Sequence, residues 1–284
     1  MSHPDHHHLA GVMGWPVMHS RSPLLHNYWL KQHHISGLYV PLPIAPQALG
    51  AALRAMPALG FRGCNLTIPH KVLALDIVDY IDPMAKRMGA ANCIVVREDG
   101  SLAGFNHDGF GFIESLREAK PDWRADAGPI VVLGAGGAAR AVVQSLVDRG
   151  TREIRLLNRT LARAQTLAQS LDGPVEVLDW DMRDAALDGA AMLVNTTSQG
   201  MSGQHELDIS LQRLPAHAVV ADIVYIPLET HLLQMARERG HLTVNGLGML
   251  LHQARPAFHA WFGILPQVTP QLRALLEQSI REPH

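Results

Sequence analysis

The sequence predicts an α/β fold: two domains with a cleft between them, the second built on a parallel sheet of the Rossmann type. Three observations carry this expectation. Strand-like and helix-like patterns alternate almost from end to end, as in chains of βα units. The all-apolar run Ile130-Val131-Val132-Leu133 leads into Gly134-Ala135-Gly136-Gly137-Ala138-Ala139, a glycine-rich turn between a strand and a helix. The chain has 284 residues, enough for two cores at roughly 150 residues per domain.

Taken in order, residues 9–13 read as the first strand. Ser22-Pro23 supplies an N-cap and a proline for the first helical position, opening a helix that runs toward Gln32. Residues 38–42 read as a strand, and residues 46–56 as an Ala/Leu helix that Gly60 closes. Residues 61–66 are the third strand and run straight into a helix starting at Pro69. Residues 92–96 and 102–105, with Glu98-Asp99-Gly100-Ser101 between them, predict a hairpin. The domain boundary falls near residue 109, and residues 110–245 make the second domain. There, residues 130–133 are apolar throughout, as expected of a strand covered on both faces. A helix to Asp148 follows, then a strand at 154–157, a helix at 161–171, and strands at 192–194 and 219–224. After Asn245-Gly246 the pattern is helical to the end, with a break at Pro256. No long linker and no internal repeat separates the halves, which places ligands in the cleft between them.

Bulk properties narrow the function. The 24 basic and 26 acidic side chains give a net charge of −2, which offers nothing to attract nucleic acid or an anionic membrane. No apolar run approaches the roughly 20 residues a membrane span needs, and the polar N-terminus does not read as a signal peptide. Cys64 and Cys93 lie on separate predicted strands and read as reduced thiols of a cytoplasmic protein. The 17 histidines include no His-Glu-x-x-His, and no Cys-x-x-Cys accompanies them, so no metal is expected. His3, His6, His7 and His8 read as a solvated tail.

The turn Gly134-x-Gly136-x-x-Ala139 fits a dinucleotide. Gly134 allows the tight turn, Gly136 admits a pyrophosphate to the backbone, and Ala139 keeps helix and strand close. Ala135, Gly137 and Ala138 complete a cradle at a helix N-terminus, where N–H groups and the dipole favour anions. NAD binders place a carboxylate at the end of the next strand, about 20 residues on. Here the chain reads Leu157-Asn158-Arg159-Thr160, with Arg163 one helical step later. A guanidinium in that place grips a 2′-phosphate, so the cofactor is NADP.

Asn65-Leu66-Thr67-Ile68-Pro69-His70-Lys71 adds a proton donor and two neutral groups suited to hydroxyls. Gly104-Phe105-Asn106-His107-Asp108-Gly109 adds a carboxylate. Together with Gly14-Trp15-Pro16-Val17-Met18-His19-Ser20-Arg21-Ser22-Pro23, these motifs resemble the shikimate dehydrogenase family over nearly the whole chain. The resemblance implies an N-terminal α/β substrate-binding domain, residues 1–109, completed by C-terminal helices 246–284. It implies that Ser20 and Ser22 bind the substrate carboxylate. Asn65, Thr67 and Asn92, the last in Gly89-Ala90-Ala91-Asn92, match hydroxyl-binding positions. Lys71 and Asp108 match the catalytic pair. Asn195-Thr196-Thr197-Ser198-Gln199-Gly200-Met201 resembles a nicotinamide-side loop, with Thr196, Ser198 and Met201 toward the cofactor. In Asp222-Ile223-Val224-Tyr225-Ile226-Pro227 and Gly246-Leu247-Gly248-Met249-Leu250-Leu251-His252-Gln253, Tyr225 and Gln253 approach substrate, and Ile223 and Gly246 the nicotinamide.

The implied activity is reversible, NADP-dependent reduction of 3-dehydroshikimate to shikimate, a step toward aromatic amino acids. The partner is a small molecule, and monomer and homodimer both stay open. One position departs from the family pattern: His107 stands where threonine is usual. Two alternatives remain: a paralogue acting on quinate or an aminated shikimate, and a non-catalytic NADP-binding sensor. Intact Lys71 and Asp108 argue against the sensor.

Overall fold

The structure, a computed structural model, describes residues 7–282. His3 and His6 lie outside the described residues. The chain divides into two compact units: the described residues through His107 with Gln253–Leu276, and Asp108–His252 with the residues from Glu277 onward.

The first unit holds β1 (His8–Gly14), α1 (Ser22–Gln32), β2 (Gly37–Pro43), α2 (Leu49–Ala55), β3 (Phe61–Leu66), α3 (His70–Leu73), β4 (Tyr80–Ile81), α4 (Pro83–Met88), β5 (Cys93–Val96) and β6 (Leu102–Phe105). Its sheet runs β2-β1-β3-β5-β6-β4. The sheet is mixed, not parallel throughout, because β5 runs antiparallel to both β3 and β6. A connection as short as the one from β5 to β6 joins only antiparallel neighbours. Met13, Cys64, Leu66 and Ile94 on one side of this sheet pack on Leu49, Leu53 and Met56. Cys64 and Cys93 sit on neighbouring strands as free, buried thiols, and burial pushes the Cys64 thiol up, away from reactivity.

Local chemistry explains the first unit's turns. Ser22 is the first residue of α1, not its cap; Arg21 holds the cap position, and the Ser20 hydroxyl accepts the Ser22 N–H at 3.2 Å. The helix expected from residue 46 starts as a 3₁₀ turn at Pro46–Ala48 before becoming α2. The helix after Pro69 is short: α3 has four residues and passes into a 3₁₀ turn at Ala74–Asp76. Asp82 caps α4 by accepting the Met84 N–H at 2.9 Å.

The second unit holds α5 (Asp108–Ala119), β7 (Ile130–Leu133), α6 (Gly137–Val147), β8 (Ile154–Leu157), α7 (Leu161–Gln169), β9 (Val175–Leu178), β10 (Met192–Asn195), β11 (Val219–Asp222), α8 (His231–Glu238) and β12 (Leu242–Val244). Its sheet runs β12-β11-β10-β7-β8-β9, and every pair is parallel. Counted within the unit this is the order 3-2-1-4-5-6 of a Rossmann sheet, as expected. Ile130 and Val132 face a core with Phe112, Val142 and Leu167, while Val131 and Leu133 face Leu187, Leu211 and Leu232. Each of these four strand side chains is at most 1 % exposed, and burying each stabilises the sheet by about 1.5–3 kcal/mol. This two-faced burial is why β7 is apolar at every position.

Two helices complete the chain, α9 (Gly246–Phe262) and α10 (Pro270–Arg281). The break expected at Pro256 is not there: α9 continues through it and stops at Gly263, whose φ is +76°. A proline inside a helix removes one backbone hydrogen bond. Ala254, Ala257 and Phe258, all fully buried, hold the helix together on either side. Among the described residues no helix is long and apolar enough to cross a membrane.

Candidate active site

In the first unit the predicted polar residues gather around Asn92, which directly precedes β5. Asn65 is 5 % exposed and Asn92 2 %. The Asn65 side chain donates from Nδ2 to the Asn92 carbonyl at 3.0 Å. The same carbonyl accepts the Leu66 N–H at 2.9 Å. Asn92 Nδ2 donates to Gln253 Oε1 at 3.2 Å, and Asn92 Oδ1 accepts the His107 N–H at 2.9 Å. Asn106 Nδ2 donates to the Ala90 carbonyl at 2.8 Å, fixing the segment that leads to Asp108. Lys71 is half-buried on α3, and its carbonyl accepts the Ala91 N–H at 2.8 Å. Thr67 is pinned to β1 by its N–H on the Met13 carbonyl at 3.0 Å. Ser20 and Ser22 stand at the start of α1, linked as described above. The cluster is one of neutral amides and hydroxyls with a single ammonium, chemistry suited to a polyhydroxylated ligand.

Two predicted substrate residues fall in the second unit. Asp108 is the buried first residue of α5, and Tyr225 is half-buried beyond the tip of β11. The His107 ring stacks beside Phe105, with centroids 6.2 Å apart and planes 13° from parallel.

The predicted cofactor residues surround the switch point of the parallel sheet, between β7 and β10, where such sheets bind ligands. Gly134 has a φ of +109°, and a Cβ there would stand 2.6 Å from the Thr196 hydroxyl, so only glycine fits. Its N–H donates to the Leu157 carbonyl at 2.7 Å. Thr196 donates to the Leu133 carbonyl from both its N–H, at 2.8 Å, and its hydroxyl, at 2.6 Å. Gly136 caps α6 without any side-chain bond, and open space lies where side chains at Gly136 and Gly137 would stand. Ala135 and Ala138 line this turn half-buried, and Ala139 is fully buried against β7. At the tip of β8, Asn158 Nδ2 donates to the Thr160 carbonyl at 2.8 Å, and Arg159 and Arg163 are exposed. Ser198 and Met201 are exposed on the loop after β10. Gly246 donates its N–H to the Val224 carbonyl at 3.0 Å, and a Cβ on it would collide with the Ile223 carbonyl.

Asn195 and Asp222 tie the strand tips together. Asn195 Oδ1 accepts the N–H and the hydroxyl of Thr197, at 3.0 and 2.7 Å. Asp222 accepts from Asn195 Nδ2 at 3.1 Å, the Val224 N–H at 3.0 Å and the Thr230 hydroxyl at 2.8 Å. Burial nevertheless pushes the Asp222 carboxyl up to about 6.

Residues 12–94 match the family model described as the shikimate dehydrogenase substrate binding domain, and residues 118–227 match that of shikimate / quinate 5-dehydrogenase. The shikimate dehydrogenase (NADP(+)) of Paramagnetospirillum magneticum is 56% identical over 268 residues, which is 94% of this chain and 97% of that one. The chain belongs to the shikimate dehydrogenase family. Solved structures of the family agree. The Thermus thermophilus shikimate 5-dehydrogenase in complex with NADP(H) and shikimate superposes with a TM-score of 0.84 at 34% identity, over 96% of this chain and 98% of that one. The Corynebacterium glutamicum quinate dehydrogenase in complex with NAD superposes at 0.88 with 30% identity, over 96% and 99%.

The residues present fit the dinucleotide of this family. The open α6 N-terminus accepts a pyrophosphate, and the exposed guanidiniums of Arg159 and Arg163 suit a phosphate. Among the described residues neither guanidinium is paired with a carboxylate, and no group of His, Cys, Asp or Glu is placed to hold a metal. Sequence reasoning missed three buried groups: His26, Tyr39 and Asp222. A signal for the first was present, since His26 lies four residues after Ser22 and so on the same helical face.

Proposed function

We propose that this family member is an NADP-dependent oxidoreductase that reversibly reduces 3-dehydroshikimate to shikimate, in the cytoplasm. The observation that supports it most is the buried amide cluster of Asn65, Asn92 and Gln253 beside the main chain of Lys71. Neutral donors and acceptors of this kind recognise ring hydroxyls without fixing a charge. Ser20 and Ser22 take the carboxylate, and Thr67 and Tyr225 add hydroxyl contacts.

NADPH, when bound, supplies the hydride. As negative charge builds on the ketone oxygen, the Lys71 ammonium gives that oxygen its proton, and the alcohol forms. In the oxidative direction the Lys71 amine takes the proton back. Asp108 accepts a hydrogen bond from a ring hydroxyl and so orients the substrate. Arg159, with Arg163 and the backbone of Asn158 and Thr160, selects the 2′-phosphate; Thr196, Ser198, Met201, Ile223 and Gly246 flank the nicotinamide. Cytoplasmic location is supported by the two buried free thiols, which a reducing compartment keeps as they are. The test is direct: protein mixed with NADP⁺ and shikimate develops the reduced-nicotinamide absorbance band. A band that stays silent with shikimate but grows with quinate would overturn the assignment.

A further inference from the structure

Asn195 and Asp222 end β10 and β11, side by side in the parallel register, and are 0 % and 2 % exposed. A side-chain amide has two N–H donors and two acceptor positions. In Asn195 all of them are used. Oδ1 accepts the N–H and the hydroxyl of Thr197, as described above. Nδ2 donates to the Gln199 carbonyl and to Asp222 Oδ1, each at 3.1 Å. The Thr197 hydroxyl in turn accepts the Gln199 N–H at 3.0 Å. Residues 197–199 are thus curled round one buried side chain, with Ser198 exposed between them. The contact with Asp222 is the one that reaches across the sheet, and it decides which way the amide faces. Flipped, Oδ1 would stand against the carboxylate and the Gln199 carbonyl, acceptor against acceptor.

The same carboxylate closes a second loop. Oδ1 accepts the Val224 N–H at 3.0 Å, and Oδ2 accepts the Thr230 hydroxyl at 2.8 Å, so both ends of residues 223–230 hang on one group. Tyr225 lies on that segment. Thr230 also caps α8 by accepting the Leu233 N–H at 3.4 Å. The two loops are pinned to each other as well. Ser202 donates its N–H to the Ile226 carbonyl at 3.0 Å, and a Cβ on Gly200 would stand 3.3 Å from the Thr230 Cβ. Asp222 therefore anchors, at a single point, the segments that carry Ser198, Met201, Ile223 and Tyr225.

We propose that Asp222 is a positioning residue for the nicotinamide half of the cofactor, holding the Asn195 amide in one orientation and both ends of the Tyr225 segment on one centre, so that the two loops assigned to the nicotinamide stand ready before it binds. Asp222 acts through Asn195, Val224 and Thr230, and the inference rests on the functional reading above.

Stability alone gives no reason for a carboxylate here. The strand residues just before it, Val219, Val220 and Ala221, are apolar and buried, and an apolar side chain costs less to bury than a charge. Burial pushes the Asp222 carboxyl up to about 6, so its ionised form is held at neutral pH at a cost in stability, despite three hydrogen bonds. What the ionised carboxylate adds is direction: it only accepts, so it fixes the donors that face it. Loops ordered in advance lose less freedom when a ligand arrives, and hydride transfer demands close placement of the reacting ring.

The test compares NADP⁺ with 2′,5′-ADP, which keeps the adenosine and its 2′-phosphate and lacks the nicotinamide. Dissociation constants for both are measured by calorimetric titration of the full chain. Asp222→Ala removes all three acceptor contacts, and the NADP⁺ Kd should rise about ten- to thirty-fold while that of 2′,5′-ADP stays within about two-fold of wild type. Asp222→Asn keeps Oδ1 for Asn195 and Val224 and should bring the NADP⁺ Kd back to within about three-fold of wild type. An asparagine variant as weak as the alanine one contradicts the proposal. Thr197→Val, on the half-buried part of the loop, loses only the hydroxyl; it should raise the NADP⁺ Kd about two- to ten-fold, again without moving 2′,5′-ADP, and it decides the matter where Asp222→Ala does not fold. A role confined to stability would lower the melting temperature and leave both Kd values alone, which overturns the inference, as does a parallel rise in both. A wild type that binds NADP⁺ but does not oxidise shikimate would strike the functional reading. An active wild type whose variants keep the ratio of the two Kd values would strike this inference alone.

Discussion

Replacing Asp222 with asparagine should make the protein less sensitive to rising pH. Asp222 is 2 % exposed and accepts three hydrogen bonds, yet burial outweighs them and lifts its carboxyl from 3.8 to about 6. The folded protein therefore holds a proton between about pH 4 and pH 6 that the unfolded chain has released. Stability linked to this group is greatest below pH 4 and is lost as pH rises through about 6. The full shift of about two units corresponds to about 3 kcal/mol, of which about 1.5 kcal/mol falls between pH 5 and pH 8. Asparagine is neutral throughout. Its Oδ1 keeps the Asn195 and Val224 donors, and its Nδ2 faces a Thr230 hydroxyl that can turn to accept, at a cost of about 1 kcal/mol independent of pH. Melting curves of both proteins, followed by circular dichroism at pH 5, 6, 7 and 8, isolate the term because all other titrations cancel in the difference. The melting temperature of Asp222→Asn relative to wild type should rise by roughly 3–6 °C from pH 5 to pH 8. A difference that is flat with pH would mean that Asp222 is ionised in both states across this range.

Three further outcomes are expected. Lys71→Ala should lower kcat by about 10²–10⁴ with a much smaller change in shikimate KM, measured by steady-state kinetics; turnover near wild type would remove Lys71 from proton transfer. Arg159→Ala should weaken NADPH about 10- to 150-fold and leave NADH binding unmoved, by fluorescence titration of both cofactors; equal losses would make Arg159 structural. His26, depressed by burial to about 3, is neutral in the fold while the unfolded chain takes up a proton below about 6.5. Its contribution is complete above pH 6.5 and is lost by about 1.4 kcal/mol per pH unit on acidification, so His26→Phe should gain on wild type in urea melts as pH falls from 6.5 to 4.5, and parallel stability curves would refute that.

Much of the fold was legible because its signals are local. The apolar run of β7 and the glycine turn after it mark a strand buried on both faces and a helix N-terminus, and both stand where expected. Short edge elements were not legible. β4 has two residues, β12 three, and β9 carries Glu176 among its four, so none shows enough alternation to stand out. Pro256 misled because local propensity says nothing of the packing on Ala254, Ala257 and Phe258 that carries the helix past it. In the site, residues that bear distinctive chemistry in tight motifs, such as Lys71 and Asn65, stand out in the sequence as candidates. Tyr39 does not, because in sequence a strand tyrosine is one more large side chain; its contacts with Asn27, His26 and Asn65 are visible only when β2, α1 and β3 are brought together. Asp222 was hidden likewise, since its partners Asn195 and Thr230 are 27 and 8 residues away.

The central claim is that this arrangement reduces a ketone on a hydroxylated ring acid with NADPH as hydride source. It is tested most directly by kcat/KM for four pairs, shikimate or quinate with NADP⁺ or NAD⁺, on one preparation. Shikimate with NADP⁺ should exceed every other pair, with the cofactor preference collapsing in Arg159→Ala. A preference for quinate with NAD⁺, or no turnover with any pair, would contradict it.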